Sequence, residues 1–259
     1  MRRLISVLLI AMLLVSSGPA DAVMFGEPDG TAHPYVGLVV FYDADGTATH
    51  RCTGTLLSPT VLLTAGHCTF GTDSAQVWFD PIVTSASGYP YSGGITGETY
   101  TMDCYNDFAD FPNTCDIGIV VLDQPYKVKG GYPTLAPVGT LDSLATKRGQ
   151  QSTTFTIVGY GLQGVKPESS ALRERYRGEV SLVNLTSALT DGYNIQVTSN
   201  PGNKTSGGLC FGDSGGAVFY GNTIVAVNSF VLNSNCRGAG FSYRTDTQAA
   251  YSFITSFLK

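Results

Sequence analysis

Short runs of β-branched and aromatic residues, each closed off by glycine or turn residues, recur along almost the whole chain, and hardly any segment carries a helical period. In the first half Val36 to Tyr42, Cys52 to Leu57, Val61 to Thr64, Gln76 to Phe79 and Asp116 to Leu122 read as strands. In the second half Phe155 to Tyr160, Tyr176 to Val183, Tyr193 to Thr198 and Ala217 to Tyr220 do the same. The last of these pairs with Thr223 to Val227 across Gly221-Asn222, a two-residue hairpin turn. This pattern argues against helix bundles and parallel α/β sheets and predicts an all-β barrel or sandwich.

Residues 83 to 115, rich in Ser, Gly, Tyr and Asp, read as a long turn-filled insertion, and Lys127 to Gly139 as a surface loop within a single domain, with a linker between two halves as the alternative. Asp43-Ala44-Asp45-Gly46 reads as a hairpin turn, because the calcium-loop pattern it begins is incomplete. One helix is expected, over 247 to 258, capped by Asp246 and with Ala250, Tyr251, Ile254, Phe257 and Leu258 on its apolar face.

The chain opens with Arg2 and Arg3, an apolar run from Leu4 to Val15 and then Ala20-Asp21-Ala22, which reads as a signal peptide over residues 1 to 22 with the mature protein starting at Val23. No later stretch nears the roughly 18 apolar residues of a spanning helix, so no membrane anchor is expected after processing. Taking Arg2, Arg3 and Asp21 away from 15 basic and 20 acidic residues leaves a formal charge of −6. An acidic chain with no Lys/Arg cluster is a poor partner for nucleic acid or anionic membranes. All six cysteines lie beyond residue 22, as in an exported protein with three disulfides, so the expected localisation is extracellular.

The chemistry centres on Gly207-Gly208-Leu209-Cys210-Phe211-Gly212-Asp213-Ser214-Gly215-Gly216. Glycines on both sides of Ser214 free backbone N–H groups to face a developing oxyanion and leave room for a carbonyl to approach the hydroxyl. Serine needs a base, and the chain holds only His33, His50 and His67. His67 follows the apolar strand Val61 to Thr64 and precedes Cys68, and a Cys52 to Cys68 bridge would fix its loop. A zinc site of His50, Cys52, His67 and Cys68 is the alternative, but the spacing matches no common structural site. Asp116 opens an apolar strand and can orient an imidazole, unlike its neighbours Asp103, Asp107 and Asp110. No histidine follows Ser214, which removes the α/β-hydrolase elbow, and only turn-like Asp43 and Asp45 precede His67, which removes the subtilisin order. The order His67, Asp116, Ser214 remains.

Thr64-Ala65-Gly66-His67-Cys68, Asp116-Ile117-Gly118-Ile119-Val120 and Gly212-Asp213-Ser214-Gly215-Gly216 resemble, in type and in order, the motifs of the chymotrypsin/trypsin family of serine proteases. That resemblance implies two six-stranded antiparallel β-barrels, about 23–130 and about 140–245, with the active site at their junction and a C-terminal helix. It makes Ser214 the nucleophile, His67 the general base and then acid, Asp116 the orienting carboxylate, and the N–H groups of Gly212 and Ser214 the oxyanion hole. It pairs Cys210 with Cys236, which leaves Cys104 to Cys115, a bridge outside the usual family pattern. It also pairs Asp213 with the α-amino group of a processed Val23, although Met24 and Phe25 depart from the usual small residues.

The resemblance builds the substrate pocket from Gly208, Leu209, Phe211, Ser229, Phe230, Val231 and Gly240. Gly208 stands where trypsin-like enzymes carry an acid, Val231 replaces a wall glycine, and Gly240 opposite leaves depth, so cleavage after small or medium apolar residues is expected. The expected partners are a polypeptide substrate and a proteinaceous inhibitor, with a monomeric protein and no cofactor or metal. The alternatives are a non-catalytic binding module on the same fold, and an esterase using the same residues. Asn184-Leu185-Thr186 and Asn203-Lys204-Thr205 fit the glycosylation triplet but read as ordinary surface loops.

Overall fold

The computed structural model describes residues 23–144, 152–165, 171–200 and 207–258. The leader and the Asn203 triplet lie outside them. In chain order the strands are β1 (Glu27–Pro28), β2 (Val36–Tyr42), β3 (Ala48–Leu56), β4 (Val61–Thr64), β5 (Ser74–Trp78), β6 (Ile95–Thr101) and β7 (Gly118–Leu122), then β8 (Thr134–Leu135), β9 (Thr154–Gly159), β10 (Tyr176–Asn184), β11 (Asn194–Ser199), β12 (Ala217–Tyr220), β13 (Thr223–Val231) and β14 (Gly238–Arg244). One helical turn, α1, spans Gly66–Thr69, and the C-terminal helix α2 spans Gln248–Ser256.

Six strands close one antiparallel barrel in the order β2-β3-β4-β7-β6-β5. A second closes through β9-β10-β11-β14-β13-β12, where β12 and β10 both pair with β9. Closure removes the unpaired edges that strands this apolar would otherwise expose. The strand β2 is buried along its whole length, because one face fills the barrel while the other packs toward the second barrel and the loops.

The region read as an insertion contributes a barrel strand. Ile95–Thr101 pairs with both β5 and β7. Its sequence, ITGETYT, hides the strand because the inward position is Gly97, where a side chain would run into the Val121 carbonyl and Val120. Strand β14 is hidden in the same way at its start, where Gly238, Ala239 and Gly240 carry no strand signal. The connection after residue 123 carries β8, which lies parallel to β13, so the crossing between barrels is itself part of the sheet. Asp43 turns the β2–β3 hairpin, its carboxylate accepting from the N–H groups of Asp45 and Thr47. Thr247, and not Asp246, caps α2, its hydroxyl accepting from the Ala250 N–H at 3.3 Å. Asp246 is instead committed to Arg244 and to the N–H of Leu141.

A buried ion pair ties the barrels together. Arg175 Nε donates to Asp29 at 2.9 Å, while its Nη1 reaches the carbonyls of Val36 and Phe79 in the first barrel and the Tyr160 hydroxyl in the second. Asp29 also holds His33 Nδ1, at 2.5 Å. Every charge in this group has a partner, as a buried charge requires.

Candidate active site between the barrels

Strand register brings His67 and Asp116 together. Thr64 lies opposite Gly118 in the β4–β7 pair, so the residues just after β4 and just before β7 leave the barrel at the same end. Gly66 lets the turn sit close, since a Cβ there would stand 3.0 Å from the Ile117 nitrogen. The Cys52–Cys68 disulfide pins α1 to β3. Asp116 is fully buried and accepts the His67 backbone N–H at 2.7 Å, while His67 Nδ1 lies 3.1 and 2.9 Å from its two oxygens. The Ser229 hydroxyl donates to Asp116 Oδ2.

Burial alone would lift the Asp116 pKa, but the His67 charge and hydrogen bonds, with the Ser229 hydroxyl, bring it below its ordinary value. Burial would depress the imidazole, yet the charge and hydrogen bond of Asp116, helped by Asp107, carry His67 above 6.5. A carboxylate that both orients the ring and stabilises its charged form can make a neutral imidazole an effective proton acceptor.

Ser214 arrives from the second barrel but is anchored to the first. Its carbonyl accepts from the Thr53 N–H at 2.8 Å, the Thr53 hydroxyl donates to the Gly212 carbonyl at 2.8 Å, and the Tyr160 N–H donates to that hydroxyl at 3.0 Å. Gly215 has φ +79°, and any side chain there would strike Thr64 and the Thr53 carbonyl, so only glycine permits this approach. Gly212, at φ +96°, also occupies the left-handed half of backbone space. Among the described residues the N–H groups of Gly212 and Ser214 have no acceptor, which leaves both able to bind an oxyanion.

His67 and Ser214 face one cavity of about 220 Å³. No hydrogen bond joins their side chains; such contacts commonly tighten only when substrate binds.

The cavity differs from the expected pocket in two of its residues. Leu209, Phe211, Ser229, Phe230 and Val231 line it, but Gly208 and Gly240 do not. Gly208 packs against Ser199, whose hydroxyl accepts the Leu209 N–H at 3.0 Å. The depth expected at Gly240 is occupied by Leu209, whose Cδ1 would be 2.6 Å from a Cβ on that glycine. Phe230 stacks flat on Phe241 at 4.7 Å, which stiffens one wall. Phe108 closes the opposite side, 5.7 Å from the His67 ring and 6.0 Å from Phe230. It belongs to the loop bridged by Cys104–Cys115, in which Asp107, Phe108 and Cys115 all have positive φ. The third disulfide, Cys210–Cys236, borders the cavity beside Leu209.

Val23 and Asp213 do not form the expected ion pair. The Asp213 carboxylate accepts from the N–H groups of Gly161 and Cys210, at 2.9 and 3.0 Å. The Val23 side chain packs over Gly178, 3.0 Å from where its Cβ would be, and the Val23 carbonyl accepts from the Gly26 N–H. The physical reason is that residue 22 precedes Val23 in the full chain, so its nitrogen is an uncharged amide. Burial without a bonded cation pushes the Asp213 carboxyl up to about 7, and the two N–H groups and the Arg51 charge offset this only in part. The zinc alternative is also set aside here, since the Cys52 and Cys68 sulfurs are bonded to each other. His50 spends its Nε2 on the Cys68 carbonyl, at 2.9 Å.

No motif or spacing marks Thr53 or Phe108, whose contacts to the site exist only after folding. Ser229 was visible as a pocket residue, but its hold on Asp116 was not.

The Trypsin family profile matches residues 26–254. Trypsin theta of Drosophila melanogaster is 27% identical over 206 residues, covering 77% of this chain and 72% of that protein. A solved structure described as HL collagenase superposes with a TM-score of 0.69 at 17% identity, over 91% of this chain and 98% of that one. Scabies mite inactivated protease paralogue S-D1 gives 0.65 at 15% identity, over 91% and 97%. With the profile running through both barrels and the cleft that joins them, this chain belongs to the trypsin family of serine proteases.

Proposed function

We propose that the protein is an exported serine endopeptidase that cleaves through an acyl-enzyme. The observation that carries this reading is the buried Asp116 gripping His67 at two points while that imidazole shares one cavity with Ser214. His67 takes the proton of Ser214 as its oxygen attacks the peptide carbonyl, and the N–H groups of Gly212 and Ser214 receive the oxyanion. The protonated imidazole then gives that proton to the leaving amine. A water activated by the same imidazole attacks the acyl ester, and collapse of the second tetrahedral species frees Ser214.

Leu209, Phe230 and Val231 favour an uncharged side chain of modest size beside the scissile bond. Cleavage after Ala22 would turn the Val23 nitrogen into a cation able to satisfy Asp213. Val23 has φ +48°, costly for a β-branched residue, so release of the leader also frees a strained segment. Three disulfides suit an oxidising compartment, and no helix among the described residues is long and apolar enough to cross a membrane. A polypeptide substrate, a proteinaceous inhibitor and a monomeric enzyme complete this reading.

The test is hydrolysis of a peptide library by the protein starting at Val23, with Ser214→Ala as control. Cleavage after uncharged residues, absent from the control, is expected. Cleavage mainly after arginine, or equal cleavage by the control, contradicts the assignment.

A further inference from the structure

Six buried side-chain polar atoms among the described residues have no hydrogen-bond partner, and one of them, Asn228 Nδ2, belongs to a residue lining the cavity that holds Ser214. The other five, on Thr55, Tyr105, Thr114, Gln163 and Asn194, lie on residues that do not line it. Asn228 is 1% exposed, so bulk water does not satisfy this donor. A buried amide N–H left unpaired is costly, and such a group at a binding site is retained when a ligand supplies its acceptor.

Asn228 is also held firmly. Its backbone N–H donates to the Gly216 carbonyl at 2.9 Å and its carbonyl accepts from the Gly215 N–H at 2.8 Å, so it is bolted to both glycines that follow Ser214. Its Oδ1 accepts from the Ser242 hydroxyl at 3.3 Å. Gly216 leaves room for the amide, since a Cβ there would stand 3.2 Å from Nδ2. The donor therefore has a fixed place relative to the residue that would attack substrate.

We infer that Asn228 is a specificity-determining residue that recognises a carboxamide side chain, glutamine or asparagine, on the residue whose carbonyl Ser214 attacks; this rests on the serine-peptidase reading above. The side-chain stem would lie against Leu209, Phe230 and Val231, as an apolar stem requires. The substrate amide oxygen accepts from Asn228 Nδ2. The substrate amide N–H donates to the second lone pair of Asn228 Oδ1, which Ser242 leaves open. Two amides paired in this way each donate one N–H and accept one, a reciprocal fit that neither a hydrocarbon nor a carboxylate can make. A carboxylate would also share the cavity with Asp213.

The test uses the protein starting at Val23, with active sites counted by a fluorophosphonate label, and peptides that differ only in glutamine, asparagine, methionine, leucine or glutamate at the residue before the cut. Wild type should prefer the better of the two amides over methionine by about 10- to 100-fold in kcat/KM, the range of one well-placed buried hydrogen bond. Asn228→Leu should remove that preference and favour leucine or methionine, and Asn228→Ser should weaken it. Because the readout is a ratio within one labelled preparation, a change in folded fraction does not move it. Equal ratios in wild type and variants, as when a trapped water satisfies Nδ2, overturn the inference, and so does wild-type preference for glutamate over glutamine. These failures leave the serine-peptidase reading intact, whereas wild type that neither takes the label nor cuts any peptide overturns both.

Discussion

On the first-barrel side of the cleft, His67 Nδ1, the His67 backbone N–H and both oxygens of Asp116 are all engaged, and a disulfide fixes the turn beneath them. Among the described residues, the second-barrel side leaves the N–H groups of Gly212 and Ser214 and Asn228 Nδ2 without partners, and Asp213 without a bonded cation. Asp116 on one side and Asp213 and Asn228 on the other are all buried, so the contrast does not come from exposure to solvent. It separates groups that must be held in one geometry before substrate arrives from groups whose partners are the substrate and a processed terminus. Preorganised groups serve the chemistry, and unsatisfied ones can discriminate between ligands.

Substitutions on the two sides should therefore fail in different ways. Ser214→Ala should cost the processed enzyme on the order of 10⁶-fold in kcat with its melting temperature unchanged. Asp116→Asn, which leaves the imidazole in the wrong tautomer, should cost about 10⁴-fold. Ser229→Ala, which removes one hydrogen bond to the same carboxylate, should cost about 10- to 100-fold. Steady-state kinetics on one peptide would rank the three, and a Ser229 effect as large as that of Asp116 would show that the pair is not the organising unit.

Asp213 gives the pH-dependent contrast. Its carboxyl is raised from 3.8 to about 7 in the full chain, so between those values the folded protein holds a proton that the unfolded chain has released. Stability of the full chain should thus fall as pH rises from about 4 to about 7, by a few kcal/mol from this group. In the protein starting at Val23 the new cation should lower that pKa and remove the decline. Thermal melts of the two forms across this range, with Asp213→Asn in the full chain as a flat reference, would check both the sign and its cause.

Smaller effects belong to the Phe108 loop. Replacing Cys104 and Cys115 together by serine should cost about 2–3 kcal/mol of stability, the value for a loop of this length, and should loosen Phe108 more than it disturbs His67. Phe108→Ala should raise KM by roughly 3- to 10-fold with little change in kcat, because it removes apolar wall and no reacting group. A loss confined to kcat would instead place Phe108 with the His67 machinery.

Much of this could be read from the residues, for reasons that also mark where reading stops. Strands rich in Val, Leu and Phe, such as Val36–Tyr42 and Val61–Thr64, declare themselves because burial on a pleated surface selects those side chains. The strand Ile95–Thr101 did not, because the space inside it is filled by Val120 and Val121 of its neighbour and glycine is what fits. His67, Asp116 and Ser214 were legible from local motifs and their order. The cavity was legible only as a set of candidate positions, because its depth depends on where the Leu209 side chain falls across Gly240. Asn228 lay within a strand expected to end one residue earlier, and its missing partner is a property of packing that no spacing encodes. Val23 was expected beside Asp213 on the premise of a free amino group, which the full chain does not have.

The most direct test of the account is the rate at which a fluorophosphonate modifies the protein starting at Val23, followed by mass spectrometry of the adduct across pH. A single adduct on Ser214 is expected, with a rate that climbs with pH as His67 loses its proton through a pKa above 6.5, and loss of that climb in His67→Ala. A folded, processed protein that takes no label, or takes it at Ser214 at a rate indifferent to His67, would contradict it.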